Sequence, residues 1–531
     1  MDYDVIVIGS GFGGAITGCR LAEGGMKVLI LERGRWWDKK ASPDRTPYPR
    51  EPSDPWIWNH SGPERQNGWA DFRVFPHMTV VQGAAVGGGS LIYANISAEA
   101  PKHVFNDGWP AEITYDELKP YYDKVGAFMN VQKVPANQWP KRTDLMLRSA
   151  KAVGHEERFE LLDLAVSFDE NYSYDLPDPF NVETHSKRIN NPQGEEQGTC
   201  VHLGNCVIGC EADAKNTLDR NYIPAGMKHG LQVRPLHLVT NIEAVTGGYK
   251  VSFDELRNGA RLPGALTATR VIVAAGSLGS TELLLRARDI TRSLPNLSSF
   301  LGRNWSSNGD FLTPALHPFD VIPTRGPTIT SAINYHDGSF QGQRFWVQDG
   351  GFPDLAWNYL KSKSAEGDMH LRARLLIEAI QTLLQGADPL RGIMPWFAQG
   401  IDAGDGVLRM RRKYWLFGER QLHLDWDIKQ SEAVINAIVD KHKELARATG
   451  GNPIVPPTWT LARDLITPHP LGGCNIGSTS ANGVVNHTGQ VFGYPGLYVC
   501  DGAVVPEALG VNPSRTIGAL AERTAALILA E

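Results

Sequence analysis

The sequence has little that would direct it to nucleic acid or into a membrane. Its 52 basic and 58 acidic residues give a formal net charge of −6, and neither Lys nor Arg forms a run. No apolar stretch reaches the roughly 20 residues that a membrane-spanning helix needs. The six cysteines in 531 residues are too few for a disulfide scaffold. These absences argue against a nucleic-acid-binding protein, a membrane-spanning protein and a small disulfide-rich domain.

The amino terminus also lacks a recognisable leader, because no charged and apolar segment precedes the first predicted strand at Asp4. We therefore expect a cytoplasmic protein, although removal of a leader from a longer precursor would leave the same sequence. With 42% apolar residues in 531, the chain can bury a large core, and two intertwined domains are expected.

The chain opens with a pattern of strand, glycine turn, helix and strand. Strands are predicted at residues 4–8 and 27–32, and the turn between them is GSGFGG. Bare backbone N–H groups in such a turn, at the positive end of a helix, can bind a pyrophosphate. Glu32 ends the second strand, where a carboxylate accepts hydrogen bonds from ribose hydroxyls. The predicted dinucleotide contacts are Gly9, Gly11, Phe12, Gly13, Gly14, Glu32 and Arg33.

Two later segments favour FAD over NAD. VIVAAGSLGS, at residues 271–280, resembles the second glycine-turn strand of FAD enzymes whose nucleotide domain is assembled from distant pieces. CDGAVVP, at residues 500–506, resembles the late segment that meets the pyrophosphate and ribityl chain. A second glycine-rich segment at residues 83–90 also allows close approach of the backbone to a cofactor.

Several long motifs then identify a family. They are VIGSGFGGAITGCRLAEGG, QGAAVGGGSLIYANIS, AKNTLDRNYIPA, LPNLSSFLGRNWSSNGD, HPLGGCNIG and YPGLYVCDGAVVPEALGVNPSRTIGALAER. Together they resemble the glucose-methanol-choline (GMC) oxidoreductases, and within them the cholesterol-oxidase-like branch. The resemblance covers most of the chain and is weakest between Leu312 and Leu461.

The resemblance implies an enzyme that oxidises an alcohol by hydride transfer to the N5 atom of FAD. It implies that His469 and Asn512 hold the substrate oxygen, and that Pro513 begins the last helix, whose positive end would face the flavin. The further cofactor contacts that we expect are Gly83, Gly87, Gly88, Gly89, Ser90, Asn95, Val239, Ala275, Gly276, Asp501, Gly502, Asn512 and Pro513. Steroid-oxidising relatives carry Asn-Gly-Gly where this chain has Tyr93, Ala94 and Asn95, so flavin contacts at this edge are expected to differ.

The predicted fold is α/β, or α+β overall, with two parts. A Rossmann-like FAD-binding domain is assembled from residues 1–110, 211–311 and 462–531. A substrate domain with an antiparallel sheet and helices, together with covering segments, comprises residues 111–210 and 312–461. Strands are expected at 407–412 and 421–428, and an apolar helix at 371–384.

One departure from the family pattern bears on the product. Cholesterol oxidases that also isomerise the steroid double bond carry a Glu that aligns here with Gln348, and an amide cannot accept that proton. The neighbouring Asp349 could do so only if it faced inward, yet adjacent residues of a strand face opposite sides. Gln348 and Asp349 are therefore the candidate pocket residues, and we predict oxidation without efficient isomerisation.

Three of the six cysteines, Cys200, Cys206 and Cys210, lie within CVHLGNCVIGC. Clustered thiolates can bind an iron-sulfur centre or zinc, and the spacing resembles the cluster segment of GMC sugar dehydrogenases. The alternatives are a buried turn of reduced cysteines and one disulfide with a free thiol.

The substrate is therefore left open. A hydrophobic secondary alcohol such as a 3-hydroxysteroid is the leading expectation, and the alternatives are a sugar or glycoside dehydrogenase with an iron-sulfur cluster, and a non-redox lyase or photoenzyme. The 14 Trp residues suit a steroid or a sugar equally. The acceptor that reoxidises the flavin would be molecular oxygen or an electron carrier.

Overall fold

The computed structural model describes residues 1–39, 41–49, 54–353, 390–412, 418 and 420–531. Two large sheets organise these residues, and helices pack against them. The α-helices are α1 Phe12–Glu23, α2 Tyr115–Phe128, α3 Lys141–Ala152, α4 Val182–His185, α5 Tyr222–Lys228, α6 Gly276–Asp289, α7 Glu432–Ala448 and α8 Ser514–Ala530.

The strands fall into sheets as follows. The seven-stranded sheet contains β1 Tyr3–Ile8, β2 Val28–Leu31, β10 Gln232–Arg234, β11 His237–Val245, β12 Gly248–Arg257, β13 Ala260–Val273 and β22 Leu497–Val499. The six-stranded sheet contains β7 Phe159–Leu161, β14 Phe311–Leu316, β15 Ser331–Asn334, β16 Phe345–Asp349, β17 Ile393–Gly400 and β20 Asn452–Pro453. Smaller sheets are formed by β3 Trp37–Asp38 with β4 Thr46–Pro47, β5 Ala70–Phe75 with β6 Met78–Gly83 and β21 Leu465–Thr467, β8 Ile189–Asn190 with β9 Glu196–Gln197, and β18 Val407–Arg412 with β19 Arg420–Asp425.

The centre of the seven-stranded sheet is parallel. Strand β1 pairs in parallel with β2 on one side and with β13 on the other. Because helices cover the parallel part of such a sheet, its central strands are expected to be largely apolar, and all four residues of β2 are buried. The predicted strand, helix and strand at the amino terminus are confirmed within a residue or two. The predicted mixed α/β fold is confirmed as well.

The six-stranded sheet is antiparallel at every pairing. It includes β7, from the segment before residue 210, beside strands that follow residue 311. Two of the strands expected in this region, at 407–412 and 421–428, instead form the hairpin β18–β19, which pairs with neither large sheet among the described residues. The apolar helix expected at 371–384 lies outside the described residues, and the domain boundaries stay a prediction.

The two large sheets meet where the segment before β14 passes the carboxy-terminal loops. Residues 306–310 lead directly into β14, and Ser306 exchanges backbone hydrogen bonds with Leu471. The chain after Leu471 then bonds along residues 502–504, beyond the end of β22. In the described part of the chain, no helix is both long and apolar enough to cross a bilayer.

Candidate active site and cofactor cleft

The turn after β1 is packed too tightly for side chains. Gly9 has a φ of 96°, in the left-handed region that favours glycine. A Cβ atom on Gly13 would lie 1.5 Å from the carbonyl oxygen of Cys500, and one on Gly14 would lie 2.1 Å from that of Gly9. These glycines are therefore required by the close approach of β1, α1 and the segment after β22.

Gly11 differs, because a Cβ atom on it would meet no atom of the described protein within 4 Å. It precedes α1, so that the free N–H groups and positive end of the helix lie beside this open space. The second glycine segment comes to the same place, since a Cβ atom on Gly88 would lie 2.7 Å from the Cα of Gly11. Gly89 is also open on its side-chain face. The two glycine turns form a cradle of backbone suited to a pyrophosphate.

Glu32 lies beside this cradle, at the carboxyl end of β2. One carboxylate oxygen accepts hydrogen bonds from the backbone and hydroxyl of Ser10, at 3.0 and 2.7 Å. The other accepts from the N–H of Gly34 at 2.8 Å. Strand β11, which contains Val239, reaches the same edge, because the N–H of His237 donates to the Glu32 carbonyl.

The side chain of Arg33 lies beside β5. Its guanidinium pairs with the buried carboxylate of Asp71 at 2.8 Å and stacks over the ring of Trp58. Sequence reasoning placed Arg33 among the cofactor contacts. Contact between Arg33 and a cofactor stays a prediction.

Asn95 follows the second glycine segment and is fully buried, with a φ of 69°. Neither polar atom of its side chain has a hydrogen-bond partner within the described structure. The start of α8 packs against the next residues, because the hydroxyl of Ser514 donates to the carbonyl of Ile96. A buried amide normally has partners, so Asn95 is suited to a polar ligand bound between this segment and α8.

Of the remaining predicted cofactor residues, some lie in the second glycine segment, and the others lie at the starts of α6 and α8 and in the segment after β22. Ser90, Gly83 and Gly87 shape the second turn: Ser90 donates to the Gly87 carbonyl, and a Cβ on Gly83 would meet the Gly88 carbonyl at 2.5 Å. Gly502 lies where the Gly472 N–H donates to its carbonyl, Ala275 donates its N–H to Ser280, and Pro513 immediately precedes α8.

The carboxylate of Asp501 is hydrogen-bonded within the protein. Its carboxylate accepts hydrogen bonds from the N–H groups of Gly276 and Ala503 and from the hydroxyl of Ser280. Burial raises the pKa of Asp501 to about 6, whereas these hydrogen bonds act in the opposite direction. The carboxylate ties the start of α6 to the segment after β22. The predicted contact of Asp501 with a cofactor stays a prediction.

His469 lies just beyond β21, with its ring against a buried carboxylate. Its Nδ1 atom is 2.9 and 3.0 Å from the two carboxylate oxygens of Asp310, the residue before β14. The hydroxyl of Thr467 donates to Asp310 and accepts from the His469 N–H. Burial raises the pKa of Asp310, whereas His469 and Thr467 stabilise its ionised form. An ionised Asp310 holds the proton of His469 on Nδ1 and leaves Nε2 as an acceptor.

Asn512 faces that Nε2 atom. Its Nδ2 is 3.2 Å from His469 Nε2, so the structure brings the two predicted catalytic residues together. The loop that carries Asn512 is held by Asn308, whose side chain donates to the Val511 carbonyl and accepts from the N–H groups of Leu509 and Gly510.

The six-stranded sheet supplies one wall of this site. Gln348 of β16 donates from Nε2 to the Oδ1 atom of Asn512 at 2.8 Å. Phe397 lies opposite Gln348 on β17, and its ring centre is 6.3 Å from that of His469. Leu312 of β14 pairs with Phe397 and is 41% exposed. The wall beside the two catalytic candidates is therefore largely apolar.

Asp349 lies on the opposite side of β16. Its carboxylate pairs with Arg142 at 3.3 Å and accepts hydrogen bonds from the N–H groups of Thr330 and Ser331. Both side chains of the ion pair are fully buried. The structure therefore does not bring Asp349 to the candidate pocket, because alternation along the strand turns it away from Asn512.

The three clustered cysteines are free thiols. No group of three or more His, Cys, Asp or Glu side chains in the described residues, these cysteines included, is arranged to hold a metal ion. Burial raises the pKa of Cys210 to about 11 and that of Cys200 well above its ordinary value, which disfavours the thiolate form. The geometry therefore does not support an iron-sulfur cluster.

Sequence reasoning missed the residues that organise the reaction centre. Asp310, Asn308 and Thr467 each support His469 or Asn512, yet none was a candidate. The signal was present, because SSNGD belongs to one of the motifs that carried the family resemblance. A polar motif directly before a strand does not by itself reveal which distant side chains it supports.

Comparison with known proteins agrees with this geometry. The amino- and carboxy-terminal domains of the family described as GMC oxidoreductase match residues 4–160 and 417–521. A cholesterol oxidase from Acinetobacter baumannii is 31% identical over 100% of this chain and 95% of its own. The chain belongs to the GMC oxidoreductase family. It is an enzyme of the class that acts on alcohols.

Other similar proteins are named for different substrates. A 2-methyl-1,2-propanediol dehydrogenase from Mycolicibacterium austroafricanum is 25% identical over 98% of this chain and 94% of its own. The structure of pyridoxine 4-oxidase from Mesorbium loti superimposes with a TM-score of 0.63 at 16% identity, covering 99% of both chains. That likeness concerns the fold.

The family implies FAD, and the residues present fit it. The open face of Gly11, the carboxylate of Glu32 and the unpartnered amide of Asn95 form a donor and acceptor set that matches a pyrophosphate, a ribose and a polar ring edge.

Proposed function

We propose that this enzyme oxidises a hydrophobic secondary alcohol, of the 3-hydroxysteroid class, to the ketone. The observation that carries the proposal is the arrangement of Asp310, His469 and Asn512, in which an accepting imidazole nitrogen and a donating amide lie 3.2 Å apart. Such a pair can hold one hydroxyl oxygen and remove its proton.

His469 acts as the base in this proposal. The substrate hydroxyl replaces Asn512 as the donor to Nε2, and the Asn512 amide then donates to the substrate oxygen. As the proton moves to His469, the ionised Asp310 stabilises the positive charge that develops on the imidazole. The carbinol carbon, held by this pair, is left with one hydrogen to transfer as hydride.

FAD, when bound, supplies the hydride acceptor. The residues that would hold it are the two glycine turns, Glu32, and Asn95 with the start of α8. The N–H groups at that helix end favour negative charge nearby.

The apolar wall supports the substrate class. Phe397 and Leu312 lie beside Gln348 on the face of the sheet that meets Asn512, and they suit a hydrocarbon skeleton better than a sugar. The cholesterol oxidase that matches the whole chain points the same way. The free cysteines give no support to the alternative of a sugar dehydrogenase with an iron-sulfur cluster.

Gln348 and Asp349 support oxidation without efficient isomerisation. Moving a double bond requires a base that takes a proton from carbon and returns it, and the amide of Gln348 cannot do so. Asp349 is bound to Arg142 on the far side of the strand.

The test is a substrate panel with the FAD-loaded enzyme. A 3β-hydroxysteroid with an isolated double bond, a long-chain alcohol, a branched 1,2-diol and a sugar are compared by their rates of flavin bleaching without oxygen. The proposal predicts fastest bleaching by the steroid and a ketone whose double bond has not become conjugated. Bleaching by the diol or the sugar alone would contradict the substrate class, and a conjugated product would contradict the second part. Hydrogen peroxide formed in air distinguishes oxygen from a carrier as the acceptor.

A further inference from the structure

Asp402 lies just beyond β17 and is bonded to the turn at residues 306–309. Its side chain is buried, with 7% exposed. One carboxylate oxygen accepts from the hydroxyl of Ser306 at 2.7 Å. The other accepts from the N–H and the hydroxyl of Ser307 at 2.8 and 2.7 Å, and from the N–H of Gly309 at 3.4 Å. One carboxylate therefore holds both the backbone and the hydroxyls of this turn.

The turn depends on such acceptors because it is buried and its backbone is strained. Asn308 and Gly309 have φ angles of 59° and 61°, so two successive residues lie in the left-handed region. An asparagine keeps this conformation only where its surroundings enforce it. The N–H groups of Ser307, Asn308 and Gly309 donate to Asp402 and to the hydroxyls of Ser306 and Ser307. Those hydroxyls are oriented to accept because each donates to Asp402.

The residues that hold the catalytic pair come from this same turn. Asn308 bonds the backbone of the loop that carries Asn512. Asp310, which follows the turn directly, bonds Nδ1 of His469. His469 and Asn512 are 43 residues apart in the chain, yet their supports are almost adjacent. The conformation of the turn therefore sets how the imidazole and the amide lie relative to each other.

The turn is also packed on the substrate wall. Strand β17 contains Phe397 of that wall and ends at Gly400, whose N–H donates to the carbonyl of Asn308 at 3.2 Å. A Cβ atom on Gly309 would lie 2.4 Å from the carbonyl oxygen of Gly400. Asp402 therefore acts at the place where the six-stranded sheet meets the reaction centre.

We propose that Asp402 is a positioning residue, which fixes His469 and Asn512 relative to each other through the turn at residues 306–309. This inference rests on the proposed function, because the rate depends on the geometry of the pair only if the pair holds the reacting alcohol. In the described structure, the hydrogen bonds of Asp402 reach neither catalytic side chain, so its effect passes through the turn.

Asp402→Ala removes every acceptor that this side chain offers. The limiting rate of flavin bleaching should fall on the order of 100-fold, the effect of moving reacting groups by about 1 Å. The alcohol concentration that gives half of this rate should change less, because the apolar wall is left in place and the lost geometry acts on the reacting oxygen.

Asp402→Asn keeps the size of the side chain but not its function. A carboxylate suits a place where only donors converge, the N–H of Gly404 among them, and an amide nitrogen cannot accept from an N–H group. Asp402→Asn should therefore also lower the limiting rate, by less than Asp402→Ala does.

A double variant separates positioning from a general loss of stability. Asn308→Ala removes the bonds to the loop of Asn512 and should itself lower the limiting rate. Because both changes disturb the same turn, Asp402→Ala combined with Asn308→Ala should lose less than the product of the two single losses. Two changes that act independently would multiply.

Asn191→Ala is the matched control. Asn191 is 6% exposed, and its side-chain oxygen accepts from the N–H groups of Gln193 and Glu195. It therefore organises a turn from a buried position, as Asp402 does. Its hydrogen bonds in the described structure reach neither the turn at residues 306–309 nor the catalytic pair. Asn191→Ala should lower the melting temperature and keep the limiting rate per bound FAD.

The experiment measures anaerobic flavin bleaching by the FAD-loaded wild type and these variants, with FAD content and thermal unfolding determined for each. The alcohol is the 3β-hydroxysteroid, or whichever alcohol of the panel bleaches the wild-type flavin fastest. We expect the limiting rate per bound FAD to fall in Asp402→Ala, with a smaller change in the half-saturating concentration, while Asn191→Ala keeps both values.

Three results would overturn the inference. They are an undiminished limiting rate in folded Asp402→Ala, losses that multiply in the double variant, and an equal loss in Asn191→Ala. If Asp402→Ala does not fold, an Asp402→Asn enzyme with an undiminished limiting rate would overturn it as well. A wild type whose flavin no alcohol bleaches would refute the proposed function instead, so the two failures are distinguishable.

Discussion

The cofactor cleft and the reaction centre are built from different parts of the amino acid. In the cleft, the backbone makes the site, and glycines are needed because a single Cβ would collide with a carbonyl or fill the space beside a helix end. At the reaction centre, side chains from four distant segments form one hydrogen-bonded chain from Gln348 to Asp310. In the first arrangement an added methyl group either strains the backbone or occupies the space for the cofactor, whereas in the second each side chain can be replaced separately.

The largest effect should come from substitutions in the first glycine turn. Gly13→Ala should destabilise the fold, because the added methyl would lie 1.5 Å from the Cys500 carbonyl. Gly11→Ala should fold with the thermal stability of the wild-type apoprotein, since its methyl meets nothing within 4 Å, yet it should lose bound FAD. FAD titration and thermal unfolding of both apoproteins check this. A Gly11→Ala protein that binds FAD as tightly as the wild type would remove Gly11 from the cofactor cradle.

The next effect concerns the base. His469→Ala should lower the rate of flavin bleaching by the alcohol about 1,000-fold, within the usual range for loss of a positioned general base. His423→Ala, on the hairpin β18–β19, is the matched control and should react as the wild type does. A fall of less than about tenfold would mean that His469 does not take the proton.

Asp349 and Gln348 are adjacent on β16, and their side chains face opposite sides of the sheet. A measurement of the free energy of unfolding tests whether Asp349 is a structural residue. Asp349→Asn leaves Arg142 buried without its counter-charge, so the free energy of unfolding should fall by about 3–5 kcal/mol. Asp337→Asn removes an exposed partner of Arg158 and should cost about 0–1 kcal/mol. Denaturant unfolding measures both. A large loss of kcat in a stable Asp349→Asn enzyme would show instead that Asp349 acts in the reaction.

The smallest effect of the four concerns Asp310. Asp310→Asn should lower kcat on the order of 100-fold, because the charge that stabilises the imidazolium is gone. Burial raises the pKa of Asp310 in the folded protein, so the stability it contributes is present in acid and is lost as the pH rises through that raised pKa.

The melting temperature of Asp310→Asn minus that of the wild type should accordingly increase as the pH rises from acid to neutral. Thermal unfolding across this pH range checks the expected change in stability, and kcat checks the expected loss of activity. A variant that is less stable than the wild type at neutral pH but keeps its kcat would make Asp310 a purely structural residue.

The same contrast explains how far the sequence could be interpreted. Glycine turns are local, so the strand, turn and helix at residues 4–32 follow from a short motif. The approach of Gly88 to Gly11 joins two such turns and was not predicted. The sequence also predicted that His469 and Asn512 act together on the substrate oxygen, because the family motifs contain both residues.

Hydrogen bonds between distant side chains are not visible in a motif. Asp310 lies 159 residues from His469. No motif indicated that Arg33 pairs with Asp71 or that Asp501 accepts from Gly276. The hairpin β18–β19 has the alternation of a sheet strand, yet alternation does not reveal which sheet a strand joins.

The central claim is that His469 and Asn512 hold an alcohol whose carbinol hydrogen leaves as hydride. The most direct measurement is a single turnover of the FAD-loaded enzyme, without oxygen, on a 3-hydroxysteroid carrying deuterium on the carbinol carbon. We predict that flavin bleaching slows several-fold relative to the unlabelled alcohol, and that it slows far more in His469→Ala. Product formation without flavin bleaching, or bleaching by the steroid that His469→Ala leaves unchanged, would contradict the claim.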